Sequence, residues 1–452
     1  MNINRGILPK IPIRLNLFVI LTLVVFLTPL VMQLTGNNYV KLLEDATYML
    51  LLLYSVQMML NQGRIKVRIS KTGLVLTILL TLFAVIGIYY NGLSLVVLQF
   101  REFKYLLIPI ILIPYRDINY FKPVWTTLKL IAATSVPVSI VQWFIYRSEG
   151  DRITGILGYG ASGTLTLFLV MIFFTELGIR LYNNKPVFGL YFLFLIPTLI
   201  NETKITFLLL PIMLFAILFV TKKLKSVKAI AIILIVAILL LGWAFLYQQN
   251  YDNSIYDFFS SDQLDVYLYS TDWEEDAGRI AKVAYAFDSV KESNLMFGFG
   301  LGASYYGETS GLRGYALKQF YSRNMFGGTR PQLFLSIMDL GLCGTVLVII
   351  ILAVTLIRLI KIKEYSLWKI AAINSMLLIF ITMIYQNIFY TYQIMYILFL
   401  YASICFKLNY CKKEDVLTDE ICNMHPGSQK TFVVKEYRRE YKIKQYRGDY
   451  PS

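Results

Sequence analysis

The feature that most constrains this chain is a succession of long apolar segments separated by short polar loops. A window of about 19 residues finds about twelve of them. Their approximate limits are 15–34, 43–60, 73–90, 93–114, 123–146, 164–181, 187–200, 205–221, 229–247, 332–358, 367–386 and 388–407. Hydrophobic residues form 57% of the chain and charged residues only 16%, which excludes an ordinary soluble domain. The sequence therefore predicts an all-α, polytopic integral membrane protein with about twelve transmembrane helices.

Lysine and arginine residues indicate which ends of these helices face the cytoplasm. Short loops with an excess of Lys and Arg mark the cytoplasmic side. Basic clusters at 64–71, 222–228 and 358–369 follow the second, eighth and tenth segments, so all three fall on one side. The basic amino terminus and the basic tail fall on that side too, which predicts that both termini are cytoplasmic. The formal charge of +15 then reports topology, and nucleic acid is not expected as a partner.

A long polar insertion divides the predicted helices into two groups. The expected organisation is helices 1–9 within residues 1–247, a large extracytoplasmic loop at 248–331, helices 10–12 within 332–407, and a basic cytoplasmic tail at 408–452. A connection as long as this loop is seldom a plain linker. It contains a predicted amphipathic helix from Gly278 to Glu292 and the glycine-rich turn FGFGLG from Phe297 to Gly302. We therefore expect the loop to form a structured cap on the outer surface.

Histidine and cysteine content narrows the chemistry. The single histidine, His425, lies in the polar tail, and the four cysteines lie in or beyond the tenth segment without metal-ligand spacing. We therefore expect no metal and no other cofactor, and histidine-based catalysis within the membrane body is excluded. A metal-dependent glycosyltransferase would be expected to carry paired carboxylates in its first outer loop, where this chain has only Glu44 and Asp45.

Several cations fall at the predicted outer boundary, although Lys and Arg are normally depleted there. They are Arg101, Lys104, Arg152, Lys204, Arg279 and Arg330. Converging cations suit a diphosphate, because guanidinium groups bind phosphate oxygens bidentately without a metal. Structural interpretations stay open: Arg101 and Lys104 snorkelling to the interface with Glu102 as a local partner, Lys204 as a topological anchor, and Arg152 as a solvated charge.

Four short motifs also carry a family resemblance. They are RITGILGYGASG at 152–163, NETKIT at 201–206, GRIAKVAYAFDSVKESNLMFGFGLG at 278–302 and TRPQLFLSIMDLGLCG at 329–344. Their order, together with the large outer loop, resembles the family of O-antigen polymerases and O-antigen ligases. These are integral membrane enzymes that move lipid-linked glycans on the outer face of the bacterial inner membrane.

The resemblance implies a bacterial surface polysaccharide polymerase, located in the cytoplasmic membrane, that joins undecaprenyl-diphosphate-linked oligosaccharide repeat units. The implied partners are this lipid-linked oligosaccharide and membrane lipid, with a flippase and a chain-length regulator as further candidates. In this interpretation the residues that neutralise the diphosphates in catalysis are Arg101, Lys204, Arg279 and Arg330. The candidates for substrate binding are Lys104, Arg152, Gly298, Gly300, Gly302 and Arg323. For the glycines, a turn that needs positive backbone angles is the favoured explanation. Candidate bases without a supporting motif are Glu102, Glu202 and Glu308.

The loop exit separates the alternatives within this family. Where ligases typically carry a histidine, this chain has Thr329 and Arg330 followed by Pro331, which favours a polymerase. Ligase-type glycan transfer to another acceptor and a lipid-linked oligosaccharide flippase or transporter stay open as alternatives. Asp339, deeper in the tenth segment, is expected to be a buried partner for a cation.

Overall fold

The computed structural model describes most of the chain. The described residues are 16–61, 71–115, 117–146, 149–158, 161–201, 203–224, 226–250, 268–270, 278–292, 296–305, 312–320, 330–363, 366–389 and 391–424. Within these ranges the protein is all-helical and has no β-strand. The expected all-α fold class is confirmed for this part of the chain.

The α-helices, numbered in chain order through the described ranges, are α1 Leu17–Thr35, α2 Lys41–Asn61, α3 Lys71–Asn91, α4 Leu93–Glu102, α5 Ile108–Ile111, α6 Lys122–Ile145, α7 Ser162–Tyr182, α8 Ile196–Ile200, α9 Thr206–Val220, α10 Val227–Asn250, α11 Arg279–Glu292, α12 Tyr315–Phe320, α13 Gln332–Lys361, α14 Leu367–Thr382 and α15 Tyr392–Met424. Short 3-10 helices occupy Asn38–Val40, Lys104–Leu107, Ile118–Phe121, Gly150–Arg152 and Leu190–Leu195. Each of the apolar segments contains helix.

Four helices in the described part are long and apolar enough to cross a membrane. They are Leu17–Thr35, Asn119–Ile145, Ser162–Tyr182 and Gln332–Lys361. Six further apolar helices there are shorter: Thr77–Asn91, Leu190–Ile200, Thr206–Val220, Ala229–Gly242, Leu367–Thr382 and Tyr392–Leu408. The number of spans and their orientation therefore stay predictions.

The fourth and seventh apolar segments each contain a 3-10 helix next to a short α-helix. In the fourth, α4 ends at Glu102 and the chain continues as a 3-10 helix before α5. In the seventh, a 3-10 helix precedes α8. Each new short helix has a proline, Pro109 or Pro197, in its first turn. A proline has no N–H to donate to the preceding turn, so the first turn of a helix accommodates it better than the helix interior does.

Helix α7 forms the centre of the bundle. Every residue from Leu165 to Thr175 is buried, and α6, α9 and α14 pack around it. Of its 18-residue apolar window 78% is buried, against 17% for α13, which is the most apolar of the four long helices. The polar Thr and Ser positions of α7 face protein, whereas α13 needs a more apolar surface on its uncovered sides.

The cap has helical and turn components. The predicted helix is confirmed as α11, which packs on α13. Residues 296–305, called here the glycine turn, lie against α3, α4 and α13. At the other end of the chain, α15 continues to Met424, beyond the expected end of the twelfth segment at 407. The last part of the expected tail, 425–452, lies outside the described residues.

Candidate functional site

The four family-like motifs meet at one place, called here the motif junction. Its members are Asp151, Ser162, Asn201, Arg279, Gln332 and Gln386. The Ser162 hydroxyl donates to Asp151 Oδ1 at 3.1 Å, and Asn201 Nδ2 donates to the Ser162 carbonyl at 3.4 Å. The backbone N–H of Gln332 donates to the backbone carbonyl of Gln386 at 3.0 Å. A Cβ on Gly163 would lie 2.8 Å from Gln386 Oε1, so α7 begins directly against Gln386.

Arg279 joins the cap to this junction. Its Nε donates to the Tyr385 carbonyl at 3.0 Å, and its guanidinium carbon lies 4.4 Å from the centre of the Tyr385 ring. A hydrogen bond and a cation–π contact to the same residue restrict the orientation of the guanidinium. Arg279 is therefore positioned beside Gln386 although more than a hundred residues separate the two in sequence.

The other predicted cations of this region lie within three residues of a junction contact. Arg152 follows Asp151, Lys204 follows Asn201 by three residues, and Arg330 precedes Gln332 by two. Lys204 and Arg330 are partly buried. Arg152 is half-exposed and pairs with Glu149, which agrees with its interpretation as a solvated charge. Outside the described residues lie Arg323, Glu202, Glu308 and Thr329.

The NETKIT motif contributes two hydroxyl groups that sequence reasoning missed. Thr203 and Thr206 are 4% and 0% exposed, and neither side-chain oxygen has a hydrogen-bond partner within the described chain. Thr203 lies in the turn before α9, and Thr206 is the first residue of that helix. The first backbone N–H groups of α9 donate to the carbonyls of Thr203, Lys204 and Ile205. Buried polar atoms without partners are uncommon and call for an explanation, and a bound ligand is one.

The glycine turn is packed so closely that backbone approach explains its glycines. Gly298, Gly300 and Gly302 have φ values of 66°, 77° and 94°. A Cβ on Gly298 would lie 2.3 Å from the Gly341 nitrogen, and one on Gly300 would lie 2.1 Å from the Gly87 nitrogen. The Gly302 amide donates to Gln99 Oε1. The favoured explanation from the sequence, a turn with positive backbone angles, is confirmed, and phosphate binding by these glycines stays a prediction.

Asp339 has a different role from the expected one. Its Oδ1 accepts from the Ser304 amide at 2.8 Å, and its Oδ2 accepts from the Ser304 hydroxyl at 2.6 Å and from Gln99 Nε2 at 2.6 Å. The expectation of a cation partner is replaced by an uncharged set of donors. Asp339 and Gln99 therefore clamp the glycine turn between α13 and α4. Beside the clamp, Gly341 interrupts α13 with a φ of 63°.

Arg101 and Lys104 are brought together by the carboxylates of α2. Arg101 Nε donates to Asp45 Oδ2 at 2.7 Å, while Lys104 Nζ lies 2.6 Å from Asp45 Oδ1 and 2.6 Å from Glu44 Oε1. The Tyr105 hydroxyl also donates to Glu44. Glu102 is not their partner, which corrects the local pairing expected from the sequence. The break after α4 turns Glu102 away to a different cation.

That cation is Lys41. Its Nζ lies 3.4 Å from Glu102 Oε1 and 2.7 Å from the Tyr392 hydroxyl. Glu102 is 7% exposed, and its Oε2 has no hydrogen-bond partner within the described residues. Tyr305, at the end of the glycine turn, is influenced electrostatically by this group: burial raises the pKa of Tyr305, Glu102 raises it further, and Lys41 and Arg101 act in the opposite direction. We call Lys41, Glu102, Tyr305 and Tyr392 the Glu102 cluster.

The Glu102 cluster and the motif junction are neighbours. Gln332 Oε1 accepts from the Phe389 amide at 2.9 Å, and Tyr392 is only three residues further along the chain. Three residues span at most about 11 Å between Cα atoms. Contacts of both groups therefore lie close together in the chain, at Phe389 and at Tyr392, the first residue of α15. Within the described residues no three His, Cys, Asp or Glu side chains are grouped to hold a metal ion.

The fold and these two groups define an all-helical protein with apolar helices of membrane-spanning length and a polar centre beneath a clamped cap. Comparison with known proteins does not extend this class to a family. No protein-family model matches the chain, and neither a curated protein nor a solved structure matches it significantly.

Proposed function

We propose that this protein is a polysaccharide polymerase that transfers a growing glycan from an undecaprenyl diphosphate carrier to the terminal sugar hydroxyl of another lipid-linked repeat unit. The observation that carries the proposal is the motif junction. Four motifs spread between residues 152 and 344 supply side chains or cations to one group of contacts. Convergence of this kind suits a ligand that several segments bind together.

In this proposal the cations of the junction bind the diphosphate leaving group. Arg279, Lys204 and Arg330 neutralise its oxygens, and the buried hydroxyls of Thr203 and Thr206 donate hydrogen bonds to them. In this proposal Arg101 and Lys104 do not bind the diphosphate, because they already form ion pairs with Asp45 and Glu44. Stabilising a phosphate leaving group with positive charge lowers the barrier to transfer without a metal.

The single histidine of the chain separates polymerase from ligase. His425 lies in the tail, so the loop-exit histidine role typical of ligases has no residue to perform it. A flippase would instead move the lipid-linked unit across the membrane without joining units. These functions leave different glycans behind when the gene is lost.

The test is deletion of the gene in its native host, followed by gel analysis of surface and lipid-linked glycans. We expect single repeat units to persist and long polymer to disappear. Wild-type protein is expected to restore long polymer, and Arg279→Ala and Arg330→Ala to fail at equal membrane levels. Lys361→Ala, which removes an exposed cation at the far end of α13, is the matched control and is expected to complement. Long polymer retained on its carrier would indicate a ligase, and repeat units retained in the cytoplasmic leaflet would indicate a flippase.

A further inference from the structure

The Glu102 carboxylate differs from the two other acids around it. Glu44 and Asp45 receive hydrogen bonds or ion pairs from Lys104, Arg101 and Tyr105. Glu102 Oε1 faces Lys41, but Oε2 is buried with no partner within the described chain. An unpaired buried carboxylate oxygen costs free energy that a donor would recover. Glu102 Oε2 is therefore an acceptor for a donor that the described residues do not supply.

The charged residues in and around the Glu102 cluster differ in exposure. The side chains of Lys104 and Glu44 are 10% and 3% exposed, whereas those of Lys41 and Arg101 are 31% and 34% exposed. The two more exposed residues are cations, and Lys41 lies over the aromatic ring of Tyr392 at 4.7 Å. Aromatic rings and charged donors are suited to binding a sugar that carries several hydroxyl groups.

Its neighbours hold Glu102 in place for proton transfer. Lys41 is fixed by Tyr392 as well as by Glu102, and the adjacent residue Arg101 is fixed by Asp45. Glu102 Oε2 is buried, so an acceptor hydroxyl reaches it only when the atoms around it move. The cluster also adjoins the motif junction through the segment from Phe389 to Tyr392.

We propose that Glu102 is the general base for the acceptor sugar, an inference that rests on the function proposed above. The acceptor O–H bond breaks and its proton moves to Glu102 Oε2. The oxygen uses the released electron pair to bond the anomeric carbon of the donor glycan. The bond between that carbon and the diphosphate breaks, and its electron pair leaves with undecaprenyl diphosphate, which the junction cations bind. Glu102 then returns the proton to water. Lys41 is a positioning residue that orients the carboxylate through Oε1.

The test uses purified full-length protein in lipid nanodiscs and lipid-linked repeat units extracted from the deletion strain. Polymer formation gives kcat and KM. We expect Glu102→Gln to lower kcat by at least about 100-fold, the lower range for loss of a general base, with KM changed less than about threefold. Glu176→Gln is the matched control, because Glu176 is also a largely buried carboxylate paired with a lysine, Lys129, at 3.2 Å. It is expected to keep wild-type kcat.

A second variant covers the case in which Glu102→Gln fails to fold because Lys41 loses its partner. Lys41→Met combined with Glu102→Gln removes both charges, and we expect it to fold and to stay inactive. Activity of either variant within threefold of wild type would overturn the role of Glu102 while leaving the polymerase proposal intact. A wild-type protein that forms no polymer from these units would instead overturn the proposed function and this inference together.

Discussion

The clamp on the glycine turn leads to a quantitative prediction. Asp339→Ala removes the acceptor for the Ser304 amide, the Ser304 hydroxyl and Gln99 Nε2. The hydroxyl can rotate to another acceptor, so two buried donors lose their partner. Each costs roughly 1–3 kcal/mol, and the turn is therefore expected to open more easily by about 2–6 kcal/mol.

Two smaller changes should destabilise the glycine turn less than Asp339→Ala does. Asp339→Asn keeps one acceptor oxygen but directs an NH₂ group at the NH₂ of Gln99. Gln99 cannot reverse its amide without losing the Gly302 N–H bond to its oxygen. One mismatch of about 1–3 kcal/mol is expected. Ser304→Ala removes the hydroxyl bond and keeps the amide bond, so a loss of about 1 kcal/mol is expected.

Hydrogen–deuterium exchange of the peptide covering residues 296–305, in detergent micelles, measures this opening. Because 1.4 kcal/mol corresponds to about tenfold in an equilibrium constant, Asp339→Ala should speed exchange of this peptide at least about 25-fold, and Ser304→Ala about fivefold. Thr355→Ala, which removes a hydroxyl bond within α13 itself, is the control and should leave the peptide unchanged. Equal exchange in wild type and Asp339→Ala would refute the clamp.

Two further predictions concern positions where glycine or lysine is required by the packing. Gly300→Ala should destabilise the protein by at least about 3 kcal/mol, since φ is 77° and a Cβ would lie 2.1 Å from the Gly87 nitrogen. Gly242→Ala is the control and should not destabilise it, because no atom lies within 4 Å of the added Cβ. Thermal unfolding in detergent compares the two, and equal midpoints would contradict the packing argument. Lys369→Met should cost about 1–3 kcal/mol, because Nζ donates to the carbonyls of Ile360 and Ile362 at the end of α13. Lys361→Met removes an exposed charge from the same region and should be neutral in the same assay.

Part of the architecture was accessible to sequence reasoning because it depends on local properties. Apolar segments predict helices since the backbone must satisfy its hydrogen bonds internally in lipid. The amphipathic period of 278–292 predicted α11, and the glycines of FGFGLG predicted positive backbone angles. The contacts that individual charged residues make were harder to predict from the sequence. Lys369 counted as a topology marker in the sequence, but it is buried and caps carbonyl groups of α13.

The candidate site shows the same division. Arg101, Lys104, Arg279 and Arg330 are visible in a sequence as cations where few are expected, and a single histidine in the tail limits the chemistry by residue count alone. Thr203 and Thr206 were missed, because a threonine at a helix start ordinarily caps the helix or faces solvent. Their burial without hydrogen-bond partners among the described residues is what distinguishes them.

The helical, apolar character of the chain and the residue types available for chemistry follow from the amino-acid sequence. Which charges meet follows from how the helices pack. Asp45 faces Arg101 and Lys104, Glu102 faces Lys41, and Asp339 faces no cation among its hydrogen-bond donors. The physical reason is that an ion pair depends on a distance of a few ångströms between side chains. That distance is set by where α4 breaks and by how α2, α4, α13 and the glycine turn pack together.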